Sequence, residues 1–208
     1  MEAPHHQHPA PAPQAPHGDD RAPETPAHGG TRQEVTVTVP TAEGMRALGV
    51  RLAGLLRAGD LVMLTGELGA GKTTLTRGLG EGLGVRGAVT SPTFVIARVH
   101  PSLTDGPPLV HVDAYRLGGG LEEMEDLDLD VSLPESVVVV EWGEGKVEEL
   151  TEDRLRVLIS RTIGAEAGAA EDARAAAGDE AGAAEDVRTV TLVGVGERWA
   201  GEDLASSV

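Results

Sequence analysis

Val35–Val39 alternates valine with threonine, the period-two pattern of a strand with one exposed face. Thr41 then offers an N-cap to a helix carrying Met45, Leu48, Leu52, Leu55 and Leu56, expected to end near Gly59. Leu61–Thr65 is a short apolar strand, followed at once by a glycine-rich turn and a second helix. In that helix Leu75, Leu79 and Leu83 recur every fourth residue and predict a stripe facing a sheet. Gly78, Gly80 and Gly82 lie in the same helix, each weakening it by about 0.5–1 kcal/mol relative to Ala. Close backbone packing and a general bias toward glycine both account for them. Leu109–Tyr115 and Val137–Glu141 predict further strands, the four consecutive valines suiting a strand buried on both faces. Leu155–Ser160 and Arg188–Val195 predict a late pair. This alternation predicts a three-layer α/β domain with a mixed, mainly parallel sheet and a late antiparallel strand pair.

The pattern fails in three places. Residues 1–32 hold seven of the thirteen prolines and five of the seven histidines, with no Leu, Ile, Val or aromatic residue. Nothing there offsets the entropy of ordering, so a disordered tail is expected, and His5, His6 and His8 lack a folded cage for a metal. Residues 164–186 carry the unit AGAAEDAR (167–174) and most of its duplicate AGAAEDVR (181–188), and are expected to be a disordered acidic insertion. Residues 200–208 are expected to be a C-terminal tail. The domain is therefore placed at 33–199.

Composition narrows the function. The 208 residues include 17 basic and 34 acidic side chains, a net charge of −17 that repels phosphate backbones and disfavours direct binding of nucleic acid. The absence of cysteine excludes disulfides, thiolate metal sites and a cysteine nucleophile. No apolar run reaches the roughly 18 residues of a membrane span, and the N-terminus lacks the apolar centre of a secretory signal. A cytoplasmic protein with no membrane association is expected. Acids crowd 122–135 without a Lys or Arg, which fits a solvated loop better than a docking face for a basic partner.

The strongest chemical signal is Gly66-Glu67-Leu68-Gly69-Ala70-Gly71-Lys72-Thr73, a GxxxxGK[ST] loop in the strand–turn–helix setting it requires. Its glycines let successive N–H groups point into one concavity that holds phosphate oxygens, at the positive end of the helix that follows. Lys72 is expected at the β and γ phosphates and the Thr73 hydroxyl on Mg²⁺. Glu67, Leu68, Gly69, Ala70, Gly71 and Thr74 are the further candidate nucleotide contacts, and the fold class becomes a P-loop NTPase fold. The chain has no asparagine, so an Asn-Lys-x-Asp guanine reader is absent, and its glutamines (Gln7, Gln14, Gln33) lie in or beside the tail. ATP is favoured, and water activation falls to a carboxylate or a partner.

Two strands end in suitable acids. Asp113 closes Leu109–Asp113 and is chosen for Mg²⁺; Glu141 closes Val137–Glu141 and is chosen to position or deprotonate water. Sequence alone allows the reverse, and either acid also fits a plain strand-end turn. Period two puts His111, Asp113 and Tyr115 on one face. Thr93, in Ser91-Pro92-Thr93-Phe94, fits a contact to Mg²⁺ or the γ-phosphate as well as a simple proline turn. Phe94, Tyr115 and Trp142 adjoin these candidates, either as walls of a site or as core.

GELGAGKTT (66–74), SPTF (91–94), HVDAYRL (111–117) and VVVVEWGE (137–144), in this order, resemble the TsaE family of bacterial P-loop ATPases. The resemblance implies a role in making threonylcarbamoyladenosine, a modification of the adenosine next to the anticodon in certain tRNAs. It implies docking on a TsaD–TsaB pair, with TsaD the transferase and tRNA reached only indirectly. By motif it gives Lys72 and Thr73 to phosphate and Mg²⁺, Asp113 to the Mg²⁺ side, Glu141 and Trp142 to the nucleotide site, and Thr93 to a switch-like segment. The tail and the acidic insertion depart from the family's compact form without interrupting a motif. A small-molecule kinase using the same loop, and a nucleotide-gated binding module, are the competing readings; no arginine-rich lid of the kind a kinase needs stands out.

Overall fold

The computed structural model describes residues 32–92, 96–116, 127–161 and 187–208. The tail up to residue 31, Thr93, Phe94, the acidic stretch to 126 and the insertion at 164–186 lie outside the described residues.

The elements run β1 (Arg32–Val39), α1 (Ala42–Ala53), β2 (Leu61–Gly66), α2 (Lys72–Gly82), β3 (Ala97–His100), β4 (Leu109–Asp113), α3 (Leu129–Ser132), β5 (Val137–Glu141), β6 (Arg154–Arg161), β7 (Arg188–Val195) and α4 (Glu197–Ala200). Among the described residues, seven strands form one sheet in the order β1-β7-β6-β2-β5-β4-β3. The four central strands β6, β2, β5 and β4 are parallel to one another, and β3, β7 and β1 pair antiparallel. The expected mixed sheet is present, with β6 and β7 as the late antiparallel pair. In such sheets ligands bind beyond the carboxyl ends of the parallel strands, and β2, β5 and β4 all bring candidate residues to that end.

One sheet face is covered by α1 and α2. Met45, Leu48, Leu52, Leu75, Leu79 and Leu83 pack there on Val62, Leu64, Val137 and Val139, each buried leucine contributing about 1.5–3 kcal/mol. The glycines of α2 serve close packing. A Cβ at Gly78 would meet the Arg46 carbonyl at 2.1 Å and the Gly49 Cα at 3.0 Å, and one at Gly82 would meet the Ala53 Cβ at 2.5 Å. Glycine lets the two helix backbones touch, and the contact seats α2, whose N-terminus carries the candidate loop. The other face buries Leu61, Met63, Val110, Val112, Val138 and Val140 under Leu129, Leu133 and Val147.

Several boundaries differ from expectation. Helix α1 stops at Ala53, not near Gly59: the Leu55 and Leu56 amides bond three residues back, to Leu52 and Ala53, and the chain tightens out of α geometry. Strand β4 stops at Asp113 because its Oδ1 accepts the Tyr115 N–H at 3.1 Å, and Ala114–Arg116 turn as a 3₁₀ helix. Strand β3 carried no clear sequence signal. The expected C-terminal tail also needs correction: Leu204 is buried, and the Asp203 carboxylate caps a closing 3₁₀ turn, Leu204–Ser207. Trp199 is fully buried beside it, and Arg198 pairs with Asp60 at 3.0 Å, both nearly inaccessible to solvent.

Candidate functional site

The loop from Gly66 to Lys72 leaves β2 and turns into α2. Gly71, at φ +115°, is the N-cap, and Gly69 sits at φ +76°. Only glycine adopts both conformations without strain. Glu67, Leu68 and Gly69 are exposed at the tip, Ala70 is buried, and Gly71, Thr73 and Thr74 are half-buried. The Gly66 carbonyl accepts the Lys72 ammonium at 2.7 Å and the Glu67 carbonyl accepts it at 2.9 Å. The Lys72 ammonium also lies 3.9 Å from the centre of the Trp142 ring, a cation–π contact. Burial pushes this ammonium below the usual lysine value, while Glu141 and Asp113 nearby pull it back up.

The acids stand where parallel pairing puts them. Asp113 and Glu141 are register partners at the ends of β4 and β5. Glu141 is buried, and its Oε1 accepts the Thr73 hydroxyl at 3.0 Å and pairs with His111 Nε2 at 2.9 Å. Asp113 is half-buried, held by the Tyr115 N–H, with the Ser91 hydroxyl 3.4 Å from its Oδ2. Thr73 therefore meets Glu141, the acid assigned from sequence to water rather than to metal. The donors brought together are a hydroxyl and two carboxylates, a hard oxygen set suited to Mg²⁺, which takes few protein ligands and completes its shell with phosphate and water.

Trp142 leaves β5 at φ +62°, a left-handed conformation that costs a bulky residue about 1–3 kcal/mol. It is retained by the Trp142 N–H bond to the Leu64 carbonyl at 3.2 Å. Its ring tilts against Tyr115 at 5.2 Å between centroids, and Tyr115 is 68% exposed. These two aromatics form a wall beside Lys72, whereas Trp199 is core. Thr93 and Phe94 lie outside the described residues.

Two contacts escaped the sequence. His111 is completely buried, and its alternation with Asp113 gave its face but not its bond to Glu141. Arg188, at the start of β7, donates Nε–H to the Ala70 carbonyl at 2.8 Å across a separation of 118 residues; no local pattern marks such a contact.

The strand order, the GxxxxGK[ST] turn between β2 and α2, and the acid pair beside it make this an α/β protein of the P-loop fold. A model of threonylcarbamoyl adenosine biosynthesis protein TsaE matches residues 39–167, and the chain belongs to the TsaE family. It is 73% identical over 161 residues to the tRNA threonylcarbamoyladenosine biosynthesis protein TsaE of Streptomyces coelicolor, covering 77% of this chain and 97% of that one. The protein of the same description from Mycobacterium tuberculosis is 48% identical over 132 residues, covering 61% and 79%. The crystal structure of Bacillus subtilis YdiB superposes with a TM-score of 0.56 at 31% identity, covering 81% of this chain and 90% of that one. Among the described residues no helix is long and apolar enough to cross a membrane.

Proposed function

We propose that this chain binds Mg²⁺-ATP at the 66–74 loop and hydrolyses it. In this reading the hydrolysis cycle supports threonylcarbamoyl modification of the adenosine next to the tRNA anticodon. The observation that carries the proposal is the convergence of Lys72, the N-terminus of α2 and the Thr73–Glu141 link at one end of the parallel strands. Lys72 leaves the Gly66 and Glu67 carbonyls for the β and γ phosphates, and the loop amides take the remaining oxygens. When bound, Mg²⁺ would supply positive charge against the negative charge of the triphosphate. Thr73 and Asp113 are the residues to hold it, and Glu141 is the residue to orient or deprotonate the attacking water. The Thr73–Glu141 bond favours a second arrangement in which Glu141 stands on the metal side and Asp113 faces water.

Transfer of the threonylcarbamoyl group belongs, in this reading, to a TsaD-like transferase acting with a TsaB-like subunit in the cytoplasm. A net charge of −17 supports contact with tRNA through those partners rather than directly. Phosphate release from ATP, measured alone and with the two purified partners, tests the proposal. Slow release that the partners accelerate, with no phosphorylated small molecule formed, is expected; transfer to a small acceptor would identify a kinase instead.

A further inference from the structure

We propose that Arg188 is a positioning residue of the phosphate loop, aiming the Gly71 amide at the bound phosphate. This rests on the reading of that loop as a triphosphate site.

A loop whose amides converge on an anion turns its carbonyls away from it, and those carbonyls need donors of their own. The Glu67 carbonyl has the Ala70 N–H at 3.1 Å and the Gly71 carbonyl has the Leu75 N–H at 2.9 Å. The Ala70 carbonyl, immediately before Gly71, is held by the Arg188 guanidinium. Ala70 C=O and Gly71 N–H belong to one planar trans peptide, so they point in opposite directions. Fastening the oxygen outward aims the hydrogen inward. Gly71 sits at φ +115°, where glycine has little intrinsic preference to hold that peptide plane in place. The guanidinium is close enough to do so: a Cβ at Gly71 would lie 3.5 Å from Arg188 Nε.

The neighbouring strand shows that this loop is fastened from the same side at its other end. A Cβ at Gly66 would meet the Ile159 carbonyl at 2.4 Å, so the start of the loop lies directly on β6. Arg161 and Arg188 face each other as the terminal pair of the β6–β7 ladder. The antiparallel pair thus braces the loop at Gly66 through contact and at Ala70 through a charged hydrogen bond. A bond of that kind is about twice as strong as a neutral one.

The test compares full-length wild type, Arg188→Ala and Arg188→Lys. Mg-ATP affinity is measured by calorimetry, the KM and kcat of phosphate release by kinetics, and the Gly71 amide resonance by NMR without nucleotide. Arg188→Ala is expected to weaken Mg-ATP binding about tenfold, the scale of one hydrogen bond to a charged group. KM should rise with it while kcat stays near wild type. The ligand-free Gly71 resonance should shift while that of Gly201 stays fixed, and Arg188→Lys should recover part of the affinity. Wild-type affinity in Arg188→Ala overturns the proposal. So does weakened binding with an unmoved Gly71 resonance, since charge alone would then be responsible. Should wild type itself bind no Mg-ATP, the nucleotide reading fails. The ligand-free Gly71 resonance would then still decide the role of Arg188. If Arg188→Ala does not fold, the same comparison is made between Arg188→Lys and wild type.

Discussion

The carboxylate of Glu141 accepts the hydroxyl of Thr73 at 3.0 Å, joining the end of β5 to the first turn of α2. That bond ties the acid of one strand to the loop of another. The bond uses the Thr73 hydrogen and leaves the oxygen lone pairs available to a metal.

Substituting the two acids separates their roles. Glu141→Gln is expected to retain Mg-ATP binding and to lower phosphate release by about 10²–10⁴-fold, the scale of a lost general base. Asp113→Asn is expected to raise the Mg²⁺ concentration needed for half-maximal rate. A titration of Mg²⁺ against rate for both variants checks this. The opposite pattern, with Glu141→Gln raising the Mg²⁺ requirement, would establish the exchanged arrangement that the Thr73 contact favours.

Lys72 should report its surroundings through its own titration. Burial lowers its pKa from the ordinary 10.5. Between that lowered value and 10.5 the unfolded chain therefore holds the extra proton, and the contribution of this group to stability rises with pH over that interval. Triphosphate supplies negative charge, so binding should push the value up again and Mg-ATP affinity should fall as the amine is deprotonated. Nitrogen NMR of the Lys72 ammonium, with and without nucleotide, measures both shifts. A pKa that stays put on nucleotide addition would show that Lys72 does not meet the phosphates.

Trp142 is positioned as an optical reporter. Its ring touches Lys72 and Tyr115, whereas Trp199 is completely buried in the core. Mg-ATP should change the tryptophan emission of wild type, and Trp142→Phe should abolish the change while leaving Trp199 emission intact. Persistence of the change in Trp142→Phe would place the perturbed ring at residue 199 and remove Trp142 from the site.

The α1–α2 contact predicts a stability effect far from any chemistry. Gly78→Ala drives a methyl into the Arg46 carbonyl, and overpacking of this kind costs about 1–3 kcal/mol. Gly201→Ala has open space around it and is expected to be near neutral. Chemical denaturation of the two variants checks the difference, and equal midpoints would show that the helices can move apart freely.

The sequence carried much of this because its strongest signals are local. The loop at 66–73 declares itself by spacing, the valine run of β5 by burial on both faces, and the Leu75–Leu79–Leu83 stripe by period. What it withheld depends on distant partners. Gly49 meets Gly78 only once the helices cross, and β3 becomes a strand only by pairing with β4. Arg188 reads as the end of a low-complexity repeat until β7 brings it to Ala70. The 200–208 segment reads as a tail because its single leucine, Leu204, buried in the fold, has no periodic companions.

Calorimetric titration of the folded full-length protein with Mg-ATP, beside Lys72→Ala, addresses the nucleotide site most directly. Saturable one-site binding in wild type, lost in Lys72→Ala, is the predicted result. No heat from folded wild type over a range of temperatures, or undiminished affinity in Lys72→Ala, would contradict it.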